Sequence, residues 1–152
     1  MRLLFNSFRY AWRGILRAAE TERNFRVHLV CMAYMYAFLR LSDWFTLSRT
    51  DWAVLFIANA LVLAAELVNT AIEALVDLAT RRQHPLAAVA KDCAAGAVLV
   101  CAVMAVAVGI AILYQPEAFR QLFAYFGTHV WILIAFILSL GISALFVFGK
   151  KK

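Results

Sequence analysis

Charged residues are scarce in this sequence. Only 16% of its 152 residues are Asp, Glu, Lys or Arg, whereas 65% are hydrophobic. A soluble domain of this length normally carries more charge and alternates polar with apolar positions. Here the apolar residues form long blocks, which argues against a soluble domain. The composition predicts an all-α fold, one small integral membrane helical bundle.

Nucleotide-binding glycine motifs are missing as well. The six glycines form neither GxxxxGK[ST] nor GxGxxG, and no predicted strands are present to carry such loops. This absence excludes the common soluble kinase and dinucleotide-binding architectures. Cysteines are few and lack CxxC spacing. Cys31 and Cys101 lie in apolar blocks, so we interpret them as packing residues rather than a disulfide pair.

A nucleic-acid-binding surface is also missing, although the net charge is +6. The basic residues flank the apolar blocks, which favours anionic lipid headgroups and no nucleic acid as partners. Residues 2–19 form an amphipathic pattern at helical spacing, with arginines opposite Phe5, Phe8 and Trp12. This pattern predicts a helix lying in the membrane surface, because no other domain is present for it to pack on.

Four apolar blocks predict membrane spans, at about 25–42, 52–79, 94–114 and 130–148. The first is the weakest of the four, because its apolar block is short. We expect residues 1–115 to form the main membrane domain. Residues 116–152 then comprise a linker, the fourth span and a basic tail.

The distribution of Lys and Arg predicts the orientation in the membrane. With a cytoplasmic N-terminus, twelve of the 15 basic residues lie on the cytoplasmic side, and only Arg40, Arg49 and Arg120 lie outside. Both termini are therefore predicted to be cytoplasmic. The twelve are Arg2, Arg9, Arg13, Arg17, Arg23, Arg26, Arg81, Arg82, Lys91 and Lys150 to Lys152.

The second predicted span contains an unusual polar stripe. Glu66, Asn69, Glu73 and Asp77 are spaced by three, four and four residues, so they project within roughly 60° of one another on a helix. An acid at the bilayer centre costs roughly 2.5–3.5 kcal/mol on insertion scales, and such residues usually serve a function. The alternative is that Glu66 merely pairs with Asn69 or with a basic side chain. Four aligned polar groups favour a cavity open to the cytoplasm.

Acidic groups ringed by cations suggest a divalent metal and a polyanion. Mg²⁺ favours one or two carboxylates together with phosphates and water. Glu22 and Glu73 both lie near the predicted cytoplasmic rim, so a metal shared between the first and second spans is reasonable. Glu66, alone and deeper, is then free to abstract a proton. Phosphoryl transfer is the reaction that this combination favours.

Three motifs carry a resemblance to a known family. The stretch "ELVNTAIEALVD" (66–77) resembles the signature of the small prokaryotic diacylglycerol kinases. The stretches "ERNFRVH" (22–28) and "HPLAAVAKDCAAGAVLV" (84–100) resemble the Gram-positive-type branch, whose members act as undecaprenol kinases. The resemblance covers residues 5–114. It implies a bacterial cytoplasmic-membrane lipid kinase, a homotrimer of three-span protomers with active sites between protomers.

The resemblance also implies a reaction and roles for individual residues. The γ-phosphate of ATP would pass to the hydroxyl of a membrane lipid, undecaprenol in preference to diacylglycerol. Glu66 would be the general base, Glu22 and Glu73 the Mg²⁺ ligands, and Asn69 and Arg26 would line the site. The nucleotide-binding residues would be Tyr10, Glu22, Glu73, Asp77, Arg82, Gln83, His84, Lys91 and Asp92. The alternative readings are a snorkelling lysine for Lys91 and a solvated loop residue for His84.

The chain departs from the family pattern after Tyr114, where the usual family member ends. The additional span has only Ser139 and Ser143 as polar side chains, and Gly141, Ser143 and Ala144 are predicted to form a close-packing face. It would pack on the outside of a trimer or alter the assembly. Two other functions stay open, a four-span proton-coupled transporter using Glu66 and a degenerate family member serving as an assembly or regulatory subunit.

Overall fold

The computed structural model describes residues 2–80 and 82–149, which contain six helices and no strand, confirming the predicted all-α fold. Arg81 and Lys150 to Lys152, which the sequence assigns to the cytoplasmic side, lie outside the described residues. The helices are α1 (Arg2–Thr21), α2 (Arg23–Leu41), α3 (Arg49–Ala79), α4 (Pro85–Leu113), α5 (Pro116–Thr128) and α6 (Val130–Phe148).

Local capping chemistry sets where several helices begin. The Ser48 hydroxyl accepts a hydrogen bond from the Asp51 amide, and the Asp51 carboxylate accepts one from the Ser48 amide, which forms a capping box at the start of α3. Pro85 occupies the first turn of α4, where its missing N–H costs nothing. Helix α4 therefore begins nine residues before the predicted span at 94. The predicted linker likewise contains a helix, α5, which begins at Pro116.

Three of the described helices, α3, α4 and α6, are long and apolar enough to cross a membrane by length and composition. Helix α2, predicted as the first of four spans, does not join them, because its first turns carry Arg23, Arg26 and His28. Its crossing therefore stays a prediction. Large apolar side chains such as Phe56, Leu99 and Ile142 are exposed along the three apolar helices, as contact with lipid would require.

Helix α2 runs antiparallel to both α3 and α6. On the α3 side, the Tyr36 ring stacks on Trp52, and Asn59 Nδ2 donates a hydrogen bond to the Tyr36 hydroxyl. On the α6 side, the Tyr34 hydroxyl lies within hydrogen-bond distance of both Ser139 Oγ and Ser143 Oγ. Helix α3 in turn makes its most extensive contacts with α4.

The end of the bundle where α2 finishes and α6 begins is packed with aromatic rings, and we call it the aromatic end. The Phe136 ring lies 5.7 Å from Tyr34, 5.4 Å from Phe38 and 5.7 Å from Phe126, measured between ring centroids. Gln115 joins the loop before α3 to the loop before α5, because its side-chain amide exchanges two hydrogen bonds with the Thr46 backbone. The aromatic end thus fastens α5 and α6 to the other helices.

The predicted close-packing face on α6 does not pack as a unit within one chain, and its role between protomers stays a prediction. Ser143 faces Tyr34, but Gly141 and Ala144 are exposed, and a Cβ added at Gly141 would meet nothing within 4 Å. The physical reason is angular. Ser139 and Ser143 are four residues apart and share the face toward α2, whereas position 141 points away from it.

Candidate active site

A cavity of about 660 Å³ opens where the end of α1, the start of α2, the middle of α3 and the end of α6 meet. We call it the acid cavity. Three of its lining residues are glutamates from the predicted site, which places the predicted base and both predicted metal ligands around one space. The lining consists of Glu20, Thr21, Glu22, Arg23, Asn24, Arg26, Glu66, Asn69, Glu73, Val147 and Phe148.

Glu66 is the most deeply buried acid of the cavity, with only 2% of its surface exposed. Its Oε1 atom is buried and has no hydrogen-bond partner among the described residues. The nearest basic group is His28, whose Nε2 lies 3.5 Å from Oε1, beyond the usual hydrogen-bond range. Buried polar atoms are normally satisfied, so an unsatisfied carboxylate oxygen facing a cavity suits a group that waits for a ligand or a proton.

Asn69 and Glu73 occupy the next turns of the same helix face. Asn69 Nδ2 donates a hydrogen bond of 3.0 Å to Glu73 Oε1, which fixes the amide orientation. The amide oxygen Oδ1 is then buried and without a partner in the described chain, like Glu66 Oε1. Two oxygen acceptors lacking donors therefore belong to the same cavity wall.

The predicted stripe of four polar groups divides into two parts. Asp77 is separated from the acid cavity because it lies about 16 Å from Glu66 along the helix, at 1.5 Å per residue. There it pairs with Lys91 of α4, whose Nζ donates a hydrogen bond of 2.6 Å to Asp77 Oδ1. Within one chain the four polar groups therefore line two cavities, and a single site that includes Asp77 stays a prediction.

A second cavity of about 710 Å³ lies at the loop between α3 and α4, and we call it the loop cavity. It brings together five of the predicted nucleotide-binding residues, namely Asp77, Arg82, Gln83, His84 and Lys91. His84 also caps α4, because its Nδ1 accepts a hydrogen bond from the Leu86 amide at the start of that helix. Lys91 and His84, for which the alternatives were a snorkelling lysine and a solvated loop residue, thus line the same cavity.

Two other predicted nucleotide-binding residues lie apart from both cavities. Tyr10 is exposed on α1, with the Arg9 and Arg13 guanidinium groups 5.5 and 6.0 Å from the centroid of its ring. Asp92 is exposed on α4, beside Lys91 but outside the lining of either cavity. Within a single chain, neither residue lines a cavity with the other predicted nucleotide-binding residues.

Arg26 lines the acid cavity as predicted, but its partners are unexpected. The side chain is buried, with 2% of the residue exposed, and its guanidinium makes no ion pair among the described residues. Instead Nε and Nη2 donate to the carbonyl of Val147, and Nη1 donates to the carbonyls of Ala19 and Glu20. These carbonyls belong to the last turns of α6 and α1.

Sequence reasoning missed several residues beside the site, which are Glu20, Thr21, Asn24, His28, Val147 and Phe148. His28 could have been identified from the sequence, because it is the last residue of the motif "ERNFRVH" and lies on the same helix as the predicted Arg26. Val147 and Phe148 offered no such signal. They are apolar residues in an apolar helix, and only the fold brings them to the glutamates.

The donor set of the acid cavity partly fits Mg²⁺. The described residues contain no cluster of three or more His, Cys, Asp or Glu that could hold a metal ion by themselves. Glu22, Glu73 and the unpartnered Asn69 oxygen do supply the hard oxygen donors that Mg²⁺ prefers. Since Mg²⁺ commonly takes one or two carboxylates and completes its shell with water and phosphate oxygens, a sparse set is compatible with it.

An acid-lined cavity inside an apolar helical bundle defines a membrane protein with an embedded polar site, a class that includes membrane enzymes and transporters. The prokaryotic diacylglycerol kinase family matches residues 9–113 of this chain, more than half of its length. The chain belongs to that family, a family of enzymes. The transporter hypothesis gains no support.

Individual relatives agree with this membership. A diacylglycerol kinase of Synechocystis sp. is 45% identical over 114 residues, which cover 74% of this chain and 63% of that protein, less than two thirds of its length. An undecaprenol kinase of Bacillus subtilis is 44% identical over 115 residues, covering 74% of this chain and 89% of the relative. A diacylglycerol kinase of Escherichia coli K12 is 31% identical over 97 residues, covering 64% of this chain and 77% of the relative.

Proposed function

We propose that this protein is a lipid kinase that transfers the γ-phosphate of ATP to the hydroxyl group of a membrane lipid. The observation that carries the proposal is the buried, unpartnered Oε1 of Glu66 in a cavity shared with Glu22, Asn69 and Glu73. Family membership supports the reaction class. The retained acids also argue against a degenerate, purely regulatory family member.

Glu66 acts as the general base in this proposal. Its carboxylate takes the proton of the lipid hydroxyl as the hydroxyl oxygen attacks the γ-phosphorus. The bond from that phosphorus to the bridging oxygen breaks, and ADP leaves with the electron pair. A base freed of other hydrogen bonds is available for this proton, and general bases of this kind typically contribute 10²–10⁴-fold to a rate. Positioning of the two substrates supplies most of the remainder.

Glu22 and Glu73 would hold Mg²⁺, with the Asn69 amide oxygen nearby. When bound, the ion neutralises the charge of the transferring phosphates. The hydrogen bond from Asn69 Nδ2 keeps the Glu73 carboxylate oriented toward the cavity. Glu22 stands at the junction of α1 and α2, where its side chain makes no capping hydrogen bond and is left for a ligand.

The loop cavity would hold the nucleotide. Arg82, Lys91 and His84 offer cationic and donor groups for phosphate oxygens, and the exposed Asp77–Lys91 pair presents the lysine at the rim. Tyr10 and Asp92 would join them only from other surfaces of the chain. That separation is what an active site shared between protomers of a homotrimer would explain, so we propose the trimer together with the kinase activity.

Undecaprenol is the proposed acceptor, with diacylglycerol as the competing one. The motifs of residues 22–28 and 84–100 favour the branch of undecaprenol kinases, whereas the identities to the two kinds of relative are nearly equal, at 45% and 44%. We further propose that both termini are cytoplasmic, which gives the acid cavity access to ATP and places the amphipathic α1 in the same membrane face.

The test is phosphate transfer by purified protein in proteoliposomes. Radiolabelled ATP should label undecaprenol more efficiently than diacylglycerol, and chelation of Mg²⁺ should stop the labelling. Labelling of diacylglycerol alone would reassign the acceptor. Failure to label either lipid under these conditions would overturn the kinase and leave the regulatory alternative.

A further inference from the structure

The strongest unexplained feature is the end of α6, a helix outside the family match. That match ends at residue 113, yet Val147 and Phe148 form part of the lining of the acid cavity. Val147 is buried. A helix added only as a further membrane anchor would have no reason to end against the glutamates of the site.

Arg26 connects this helix to the rest of the cavity. Two of its nitrogens donate to the Val147 carbonyl at 3.2 and 3.0 Å, and a third donates to the Ala19 and Glu20 carbonyls at 3.2 and 3.0 Å. Carbonyls in the last turn of a helix lack intrahelical partners and carry partial negative charge. A buried guanidinium satisfies both helix ends at once, and its planar fork of donors suits this bridging.

We call the hydrogen bonds from Arg26 to the ends of α1 and α6 the bridge. The bridge affects the position of Glu22, because Glu22 follows directly after the end of α1. Its backbone amide donates to the Ala18 carbonyl, and its own carbonyl accepts from the Arg26 amide. Any shift of the last turn of α1 therefore moves the Glu22 carboxylate relative to Glu73 across the cavity.

We infer that Arg26 is a positioning residue that fixes α6 as a wall of the acid cavity and thereby holds Glu22 in place for Mg²⁺. The statement about Mg²⁺ rests on the proposed kinase function, whereas the docking of α6 does not. Arg26 touches no reacting atom in this scheme and acts through the ends of α1 and α6. The additional helix is thus part of the site rather than an appendage.

Two variants disturb the bridge from opposite sides. Arg26→Lys keeps the positive charge but loses the fork that reaches both helix ends. Gly149→Ala leaves Arg26 intact and forces the last turn of α6 to shift, because the added Cβ would overlap the Leu145 carbonyl. Arg40→Lys is the matched control on the exposed far end of α2. Gly141→Ala is the matched control on α6, where the added methyl meets open space.

The first readout is amide hydrogen exchange measured by mass spectrometry on the full-length protein. Both bridge variants should accelerate exchange roughly tenfold or more in residues 144–149 and 18–22, and neither control should do so. If Arg26→Lys fails to fold, the hydrogen exchange of Gly149→Ala alone decides whether the inference holds. Unchanged exchange in the folded bridge variants overturns the inference.

The second readout is the Mg²⁺ dependence of phosphate transfer. The bridge variants should raise the Mg²⁺ concentration for half-maximal rate roughly ten- to a hundredfold, the usual effect of losing a residue that orients a ligand, while kcat at saturating Mg²⁺ is retained. Altered exchange with an unchanged Mg²⁺ requirement would overturn the positioning role. If the wild-type protein transfers no phosphate, the kinase proposal fails, and the exchange result alone decides whether Arg26 docks α6.

Discussion

The two ends of the α2–α6 pair are built from opposite kinds of contact. At the aromatic end, Phe136 touches three other rings, and hydroxyl groups nearby have partners. The acid cavity lies about 18 Å from the aromatic end, counted along α2 from Phe38 to Arg26 at 1.5 Å per residue. In that cavity, Glu66 Oε1 and Asn69 Oδ1 are buried without any partner in the described chain. The same two helices run through both regions.

The contrast separates groups that stabilise the fold from groups whose positions are fixed by the fold. Satisfied rings and hydroxyls stabilise a packing arrangement, whereas buried unsatisfied oxygens oppose folding and persist because the surrounding helices fix them. In a membrane the packing end also has little help from the hydrophobic effect, since lipid is as apolar as the side chains. Substitutions at the two ends should therefore affect different measurements.

The largest effect is expected from Glu66→Gln. The amide has the same shape but cannot accept the lipid proton, so phosphate transfer should fall roughly 10²–10⁴-fold. Thermal stability in detergent should be unchanged or higher, because a buried unpaired carboxylate is removed. The measurement pairs a radiolabel transfer assay with a melting curve on the same preparation.

Glu117→Gln is the matched control for the lost charge. The hydrogen bond from Arg120 holds the pKa of the exposed Glu117 below its usual value, so this carboxylate is ionised at neutral pH and the substitution removes a real charge. Its phosphate transfer should equal that of wild type. Near-normal turnover in Glu66→Gln would remove Glu66 from the role of base.

Much of the acid cavity could be predicted from the sequence, because its core is local. Glu66, Asn69 and Glu73 share a helix face at spacings that periodicity reveals directly. The all-α fold followed from the apolar blocks in the same way. The bounds of α4 were less certain, because the chemistry of Pro85 and His84 starts the helix inside an apparent loop.

The rest of the site could not be predicted, because it depends on contacts between distant segments. Arg26 and the Val147 carbonyl are 121 residues apart in the chain, and a backbone acceptor leaves no mark in the sequence. His28 meets Glu66 only through the packing of α2 on α3. The pairing of Asp77 with Lys91 likewise arises from the α3–α4 turn, which the spacing within α3 cannot report.

The next effect in size is expected at the aromatic end, from Phe136→Leu. The substitution keeps an apolar side chain but removes three ring contacts, each worth about 0.5–1.5 kcal/mol and not fully additive, so stability should fall by about 1–3 kcal/mol. Denaturation in detergent measures the loss. Phosphate transfer below the melting temperature should stay close to wild type.

Phe123→Leu is the control for that substitution, because Phe123 is 69% exposed on α5. It should leave the melting temperature nearly unchanged. A loss of phosphate transfer in Phe136→Leu at a temperature where the protein is folded would contradict the separation of the two ends.

The smallest effect is expected from Tyr34→Phe, which removes one hydroxyl and keeps the ring. That hydroxyl lies 2.9 Å from Ser139 Oγ and 3.0 Å from Ser143 Oγ, whereas Ser139 also donates to the Phe136 carbonyl. Hydrogen bonds between helices in a membrane average about 0.6 kcal/mol, so the stability loss should be of that order. A double-mutant cycle with Ser143→Ala measures the coupling directly. A coupling energy near zero would show that the aromatic rings alone fasten α6 to α2. A stability loss in Tyr34→Phe larger than that in Phe136→Leu would show that the hydroxyl contributes more than the rings.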